Sequence, residues 1–162
     1  MNTSFNPLPP GYTHVQHTFE PVFDEHSRIL ILGSFPSVKS REIQFYYGHP
    51  QNRFWKLMAQ LLDVPVPQSI DEKKTMLLTH GLALWDVIAS CDIKGSSDSS
   101  IKNAVPADIS RILKAADIQT IIAEFVYTGA QCLSGLVNGH VRILFIKRHA
   151  LIVEIQQGHA VL

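Results

Sequence analysis

The sequence predicts an α/β protein: three layers, αβα, around a short, mostly parallel central sheet of four strands. Three observations carry that expectation. Arg28-Ile-Leu-Ile-Leu-Gly33 is a continuous apolar run closed by glycine, the pattern of a strand buried on both faces of a parallel sheet. Asn52–Leu62 places Phe54, Met58 and Leu61 at helical spacing, with Trp55 and Leu62 beside them. Runs of these two kinds then alternate along the chain, and alternation implies strands joined by helical crossovers that cover both faces of the sheet.

The elements follow in order. The lead Met1–Pro10 is polar and Pro-rich, with neither the basic start nor the apolar stretch of a secretory signal. After the first strand, Ser34–Gln51 reads as a loop. Ser69 with Glu72 forms a capping box that opens a second helix, and Gly81 is placed to end it. Leu82–Ile88 reads as the second strand. Asp92–Lys102 is polar and Ser-rich and reads as a loop. Pro106 opens a helix that runs to about Ala116. Ile118–Ala123 and Val141–Ile146 supply the third and fourth strands. Ligands of such sheets bind beyond the carboxyl ends of the strands, so the Ser34–Gln51 and Asp92–Lys102 loops are expected to face one crevice.

Composition narrows the function. The chain has 162 residues, 46% apolar and 17% charged, which suits one globular domain over its whole length, 1–162. No apolar run reaches the roughly 18 residues that cross a bilayer, so no membrane partner is expected. Cys91 and Cys132 are too few for a thiolate cluster, and a reduced cytoplasm fits. Net charge is zero, but its distribution is uneven. Ser27–Met58 carries Arg28, Lys39, Arg41, Arg53 and Lys56 against Glu42 alone, and His140–His149 carries Arg142, Lys147 and Arg148 with no acid. A local basic face on a neutral protein suits an enzyme that grips a few phosphates and releases them. Surface scatter would give the same count.

The strongest chemical signal is Ile29-Leu-Ile-Leu-Gly-Ser-Phe-Pro-Ser37 followed by Phe45-Tyr-Tyr-Gly-His-Pro-Gln-Asn-Arg-Phe-Trp55. A Gly/Pro loop at a strand end offers backbone amides to a ligand. Phe35 and Tyr46 or Tyr47 offer flat rings for stacking. Asn52 donates and accepts at once, which suits the edge of a purine or pyrimidine, and it serves equally well as a helix cap. Phe54 and Trp55 read as core.

Gly-Ser-Phe-Pro-Ser, then Tyr-Tyr-Gly-His-Pro-x-Asn-x-Phe-Trp, closely resembles the opening of the hypoxanthine-DNA (deoxyinosine) glycosylases, a branch of the uracil-DNA glycosylase superfamily. The likeness is detailed over residues 27–55. It continues more loosely through Ala83-Leu-Trp-Asp-Val87, Cys91 and the Gly95–Asn103 loop to about Ile121. The resemblance implies a glycosylase-like fold and an enzyme that flips a deaminated base, hypoxanthine or uracil, out of DNA and hydrolyses its N-glycosidic bond. It implies no cofactor and no metal, with damaged DNA as the partner of a monomer. In most of the superfamily an Asp or Asn two positions after the motif glycine orients the attacking water; here that position is Phe35. The hypoxanthine branch shares this departure, which makes Asn52 the expected catalytic residue. The expected base-binding residues are Gly33, Ser34, Phe35, Pro36, Ser37, Tyr47 and His49, although a His before Pro is more often structural. Lys39, Arg53 and Lys147 are the expected phosphate contacts.

The tail departs from the branch. Ile122–Leu162 contains no proline, whereas the branch carries a Pro-Ser-x-Ser-Pro-Ala-Asn motif there that wedges at the flipped base. A slow enzyme, or a nucleic-acid-binding module of the same fold without turnover, follows from that loss. A flavodoxin-like nucleotide binder fits poorly, because Pro36 removes an amide from the loop after the first strand.

Overall fold

The computed structural model describes residues 8–123, together with the backbone of 142–147 and 150–154. Its elements are β1 (Thr13–Gln16), β2 (Ile29–Gly33), α1 (Val38–Ile43), α2 (Phe54–Leu62), α3 (Ile70–Thr79), β3 (Leu82–Asp86), β4 (Ile88–Ile93), β5 (Lys102–Pro106), α4 (Ser110–Ala115), β6 (Thr120–Ala123), β7 (Arg142–Lys147) and β8 (Ala150–Glu154). The expected α/β class is observed. The sheets differ from expectation in two respects. The main sheet has five strands, ordered β3-β2-β6-β7-β8, with β8 antiparallel to β7 and the other pairs parallel. A second sheet, β1-β4-β5, is antiparallel throughout.

Strand β2 lies inside the main sheet, between β3 and β6, and its side chains are apolar on both faces. Leu30 and Leu32 are fully buried against Ile109, Ile112 and Ile121 on one side. Ile31 packs on the other side with Leu84, Trp55, Met58 and Leu77, which belong to β3, α2 and α3. Helix α2 turns Trp55, Met58 and Ala59 inward and leaves Leu61 69% exposed, so the buried stripe is rotated from the one the apolar pattern suggested. Helix α3 begins as expected: Ser69 Oγ accepts from the Glu72 amide at 3.1 Å. The Glu72 carboxylate reaches back one residue further than a standard capping box, to the Gln68 amide at 2.6 Å. Gly81 follows the helix at φ +66°, and its carbonyl accepts from Arg28 at the entrance to β2.

The expected second strand divides. β3 ends at Asp86, and after one residue the chain becomes β4, which leaves the main sheet and pairs with β1. Part of the expected Asp92–Lys102 loop is therefore strand, and Pro106 closes β5 rather than opening a helix. The Ser34–Gln51 segment similarly contains α1, capped by Ser37. The shared rim is observed. Ser34 Oγ donates to Asp98 Oδ2 (2.6 Å), the Val38 amide to Ser96 Oγ (2.8 Å), and Arg41 Nη2 to the Gly95 carbonyl (3.3 Å). Of the expected tail features, the fourth strand is observed as β7. Arg148 and most of 122–162 lie outside the described residues.

One carboxylate stitches the second sheet together. Asp92 on β4 holds His14 Nδ1 of β1 at 2.7 Å and accepts from Asn103 Nδ2 of β5 at 2.7 Å. The Asn103 bond, then the His14 bond, hold its carboxyl below the ordinary aspartate range. A depressed carboxyl stabilises the fold at neutral pH and loses that contribution as pH falls through its folded pKa. We expect Asn103→Ala to lower the thermal midpoint more at pH 7 than at a pH acid enough to protonate Asp92. A residual penalty independent of pH remains, since position 103 sits at φ +50°. Equal losses at both pH values would contradict this role.

Candidate active site

The parallel register of β2 and β3 sets Gly33 directly opposite Asp86 at the carboxyl ends of both strands. A Cβ at position 33 would collide with Asp86 Oδ1 and come within 3.5 Å of the Tyr47 hydroxyl. Glycine is required here because the carboxyl lies over the strand end, with the phenol in ordinary contact beside it. Asp86 is 5% exposed, in a strand otherwise apolar. Its Oδ2 lies 2.9 Å from His17 Nε2, and the His17 side chain is 4% exposed. Burial raises the Asp86 carboxyl above the ordinary range; the bond and charge of His17 oppose that, and Asp98 adds to it.

Aromatic rings wall this pair. Phe19 lies 4.3 Å from the His17 ring, Tyr46 at 6.0 Å, and Phe35 meets it edge-on at 6.4 Å. Tyr46 is buried with its hydroxyl donated to the Glu20 carbonyl at 2.9 Å, and burial pushes that phenol well above its usual range. Tyr47 takes a left-handed backbone, φ +50°, and stacks on Phe54 at 3.9 Å. It thus links the Gly33 strand end to the first turn of α2.

The expected site residues fall into three groups. Gly33, Ser34 and Tyr47 meet at the carboxyl end of β2, Gly33 buried and the other two half-buried. Asn52 is exposed, one residue ahead of α2's N-cap Arg53, and its Oδ1 accepts from the first amide of the helix, Phe54, at 2.8 Å. Its Nδ2 makes no hydrogen bond among the described residues. A surface hollow of about 520 Å³ adjoins it, lined among others by Pro50, Arg53, Lys56 and Leu57. His49 is exposed, and its Nδ1 accepts from the Gln51 amide at 3.2 Å, shaping the turn. The third group is pulled inward. Phe35 is 7% exposed within the core, and the Arg41 guanidinium covers its ring at 5.9 Å. Pro36 is buried, and the Ser37 hydroxyl is engaged as the α1 cap. Of the expected phosphate contacts, Lys39 pairs with Glu42 at 2.6 Å on the surface, and Arg53 is exposed. Lys147 ends β7, and its side chain lies outside the described residues.

Sequence reasoning assigned no role to Asp86, His17 or Arg41. Asp86 had a signal: one carboxyl at the end of an apolar strand needs a buried partner. His17 had none, being 69 residues away in a stretch without periodicity. Cys91 is no nucleophile, since burial, then Asp92, push its thiol up to about 11. What the strand ends bring together is a carboxyl, hydroxyls, amides and flat rings, a set suited to a planar heterocycle with polar edges.

No family model matches the chain. Over 97 residues, 59% of its length, it is 39% identical to a hypoxanthine DNA glycosylase of Methanosarcina acetivorans, spanning 61% of that relative. Over 87 residues it is 39% identical to the hypoxanthine DNA glycosylase of Methanosarcina barkeri, spanning 54% of it. A solution NMR structure from M. acetivorans, described as a candidate uracil DNA glycosylase, superimposes with a TM-score of 0.61 at 31% identity, over 70% of this chain and 71% of that one. The chain belongs to the uracil-DNA glycosylase superfamily, and it spans little more than half the length of the hypoxanthine DNA glycosylases it matches.

The Gly33 contact is testable by a double-mutant cycle. We expect Gly33→Ala to cost about 1–3 kcal/mol in denaturant unfolding, the usual range for overpacking. The same substitution in an Asp86→Ala background should cost clearly less, because the colliding carboxyl is gone. Identical costs in both backgrounds would show that the glycine is required for another reason.

Proposed function

We propose that the chain is a monofunctional DNA glycosylase that hydrolyses the N-glycosidic bond of deaminated bases in DNA, hypoxanthine first and uracil second, for base-excision repair. The observation that carries this reading is the convergence of Gly33, Asp86 and Tyr47 at the strand ends. Such an enzyme must hold an extruded base, disperse the negative charge that grows on it, and set a water against the sugar. The amides of Ser34, Phe35 and Ser37, the Tyr47 ring and His49 surround the base in this reading. Lys39, Arg53 and Lys147 take DNA phosphates. The enzyme acts as a cytoplasmic monomer, its one domain built on the three-layer sheet of the superfamily.

Asn52 is the proposed catalytic residue. Its Oδ1 is committed to the Phe54 amide, so Nδ2 is the group available to the base or the water. Aspartate at this position would retain the cap acceptor and lose the amide donor. We expect Asn52→Asp to fold as the wild type does, and to release hypoxanthine about 100- to 1,000-fold more slowly in single turnover on deoxyinosine DNA. Asn52→Ala should be equally slow and also about 1 kcal/mol less stable, for want of the cap. A folded Asn52→Asp protein within about threefold of the wild-type rate would overturn the assignment. A wild type that selectively binds deoxyinosine DNA but releases no base would favour the module without turnover, the reading that the divergent tail supports.

A further inference from the structure

The His17–Asp86 pair asks for an explanation beyond fold. The N-terminal arm is already fastened to β4 by the β1 ladder and by the His17 amide, which donates to the Ala89 carbonyl at 2.8 Å. A buried carboxyl and imidazole add little to such an attachment, because the desolvation of both offsets their attraction. Their position is more telling. The carboxyl reaches across to Gly33 at the carboxyl ends of β2 and β3, into the space left by the missing side chain, and its far oxygen is held by an imidazole shielded from solvent. The titratable groups around it are His17, Asp98, Tyr46 and, across Gly33, Tyr47. Apart from His17 all are acids or phenols, so this is a place where a carboxyl keeps a proton.

We propose that Asp86, positioned by His17, is the acid that protonates the departing base. This rests on the glycosylase reading above. As the C1′–N bond breaks, its electron pair stays on the base. The proton leaves the Asp86 carboxyl for a ring nitrogen, and the base departs neutral. Water adds its oxygen to C1′, and its surplus proton returns to the His17–Asp86 pair. His17 acts as a positioning residue: its Nε2 sets the orientation of the carboxyl and the ease with which it gives up the proton. Burial favours the protonated acid into a pH range where an exposed aspartate would have lost it.

The test is the pH dependence of single-turnover base release from single-stranded deoxyinosine DNA, with all proteins checked for folding by circular dichroism. For the wild type we expect the rate to fall as pH rises, as the acid form is lost. Asp86→Asn should be about 100-fold slower or worse, with that limb gone. His17→Gln, which offers an amide to Oδ2 but does not titrate, should fold and shift the limb, an effect that a merely structural role would not produce. A wild-type rate with no falling limb overturns the proposal, as does a folded Asp86→Asn protein within about threefold of wild type. Should Asp86→Asn fail to fold, an unmoved limb in His17→Gln overturns it alone. A wild type that releases no base at any pH overturns the glycosylase reading, and this proposal with it. Base release with a flat profile overturns the acid only.

Discussion

The close approach of the Asp86 carboxyl to the backbone of Gly33 is the constraint on which the site depends. It follows from register: β2 and β3 run parallel, and residues 33 and 86 are partners at their last pair. One residue of slip would put both positions against different neighbours and remove the carboxyl from the strand end. The register is secured from below by side chains with no polar role. Leu30, Leu32 and Leu84 are fully buried, and Val22 exchanges two backbone hydrogen bonds with Leu84 on the outer edge of β3. The apolar core thereby sets the coordinates of the polar site.

Around that point the chain brings together segments far apart in sequence. The turn after β2, the serine-rich 94–100 loop and the N-terminal arm all converge on the carboxyl ends of the sheet. Ser34 to Asp98 and Arg41 to Gly95 tie the first two together. His17 ties in the third. The division of the Leu82–Ile93 stretch at Val87 makes this arrangement possible, because it lets β4 leave the main sheet and build a platform for β1. The Val87 and Ile88 amides then donate to the Gly33 and Ser34 carbonyls, fixing the site loop from the other side.

How much of this was legible varied with the kind of signal. Strand β2 and the capped helix α3 were plain, since an unbroken apolar run and a Ser69–Glu72 pair are local patterns with local causes. The crossing of the two rim loops was legible from topology alone. The splitting of β3 from β4 was not, because an apolar run that continues through Val87 and Ile88 carries no mark of a strand changing sheets. β5 was hidden for a related reason: it is a largely exposed edge strand, and its polar residues read as loop. In the site, the motif residues were found in sequence, yet their side chains divide between crevice and core. Phe35 reads as a stacking ring and packs inward, since a ring so close to β2 is worth more buried. His17 could be found only through its partner.

The central claim is that a deaminated base seats at the carboxyl ends of β2 and β3, over Gly33 and beside Asp86. Backbone NMR of the protein with an oligonucleotide carrying 2′-fluoro-deoxyinosine addresses this directly. The electron-withdrawing fluorine resists C1′–N cleavage, so the base stays attached while the complex is observed. The account predicts the largest amide shifts at Gly33, Ser34, Tyr47 and Asn52, with smaller ones along the outer strands β1 and β5, relative to the same oligonucleotide with adenine. Shifts confined to the exposed faces of α2 and β5, or no difference between the two bases, would contradict it.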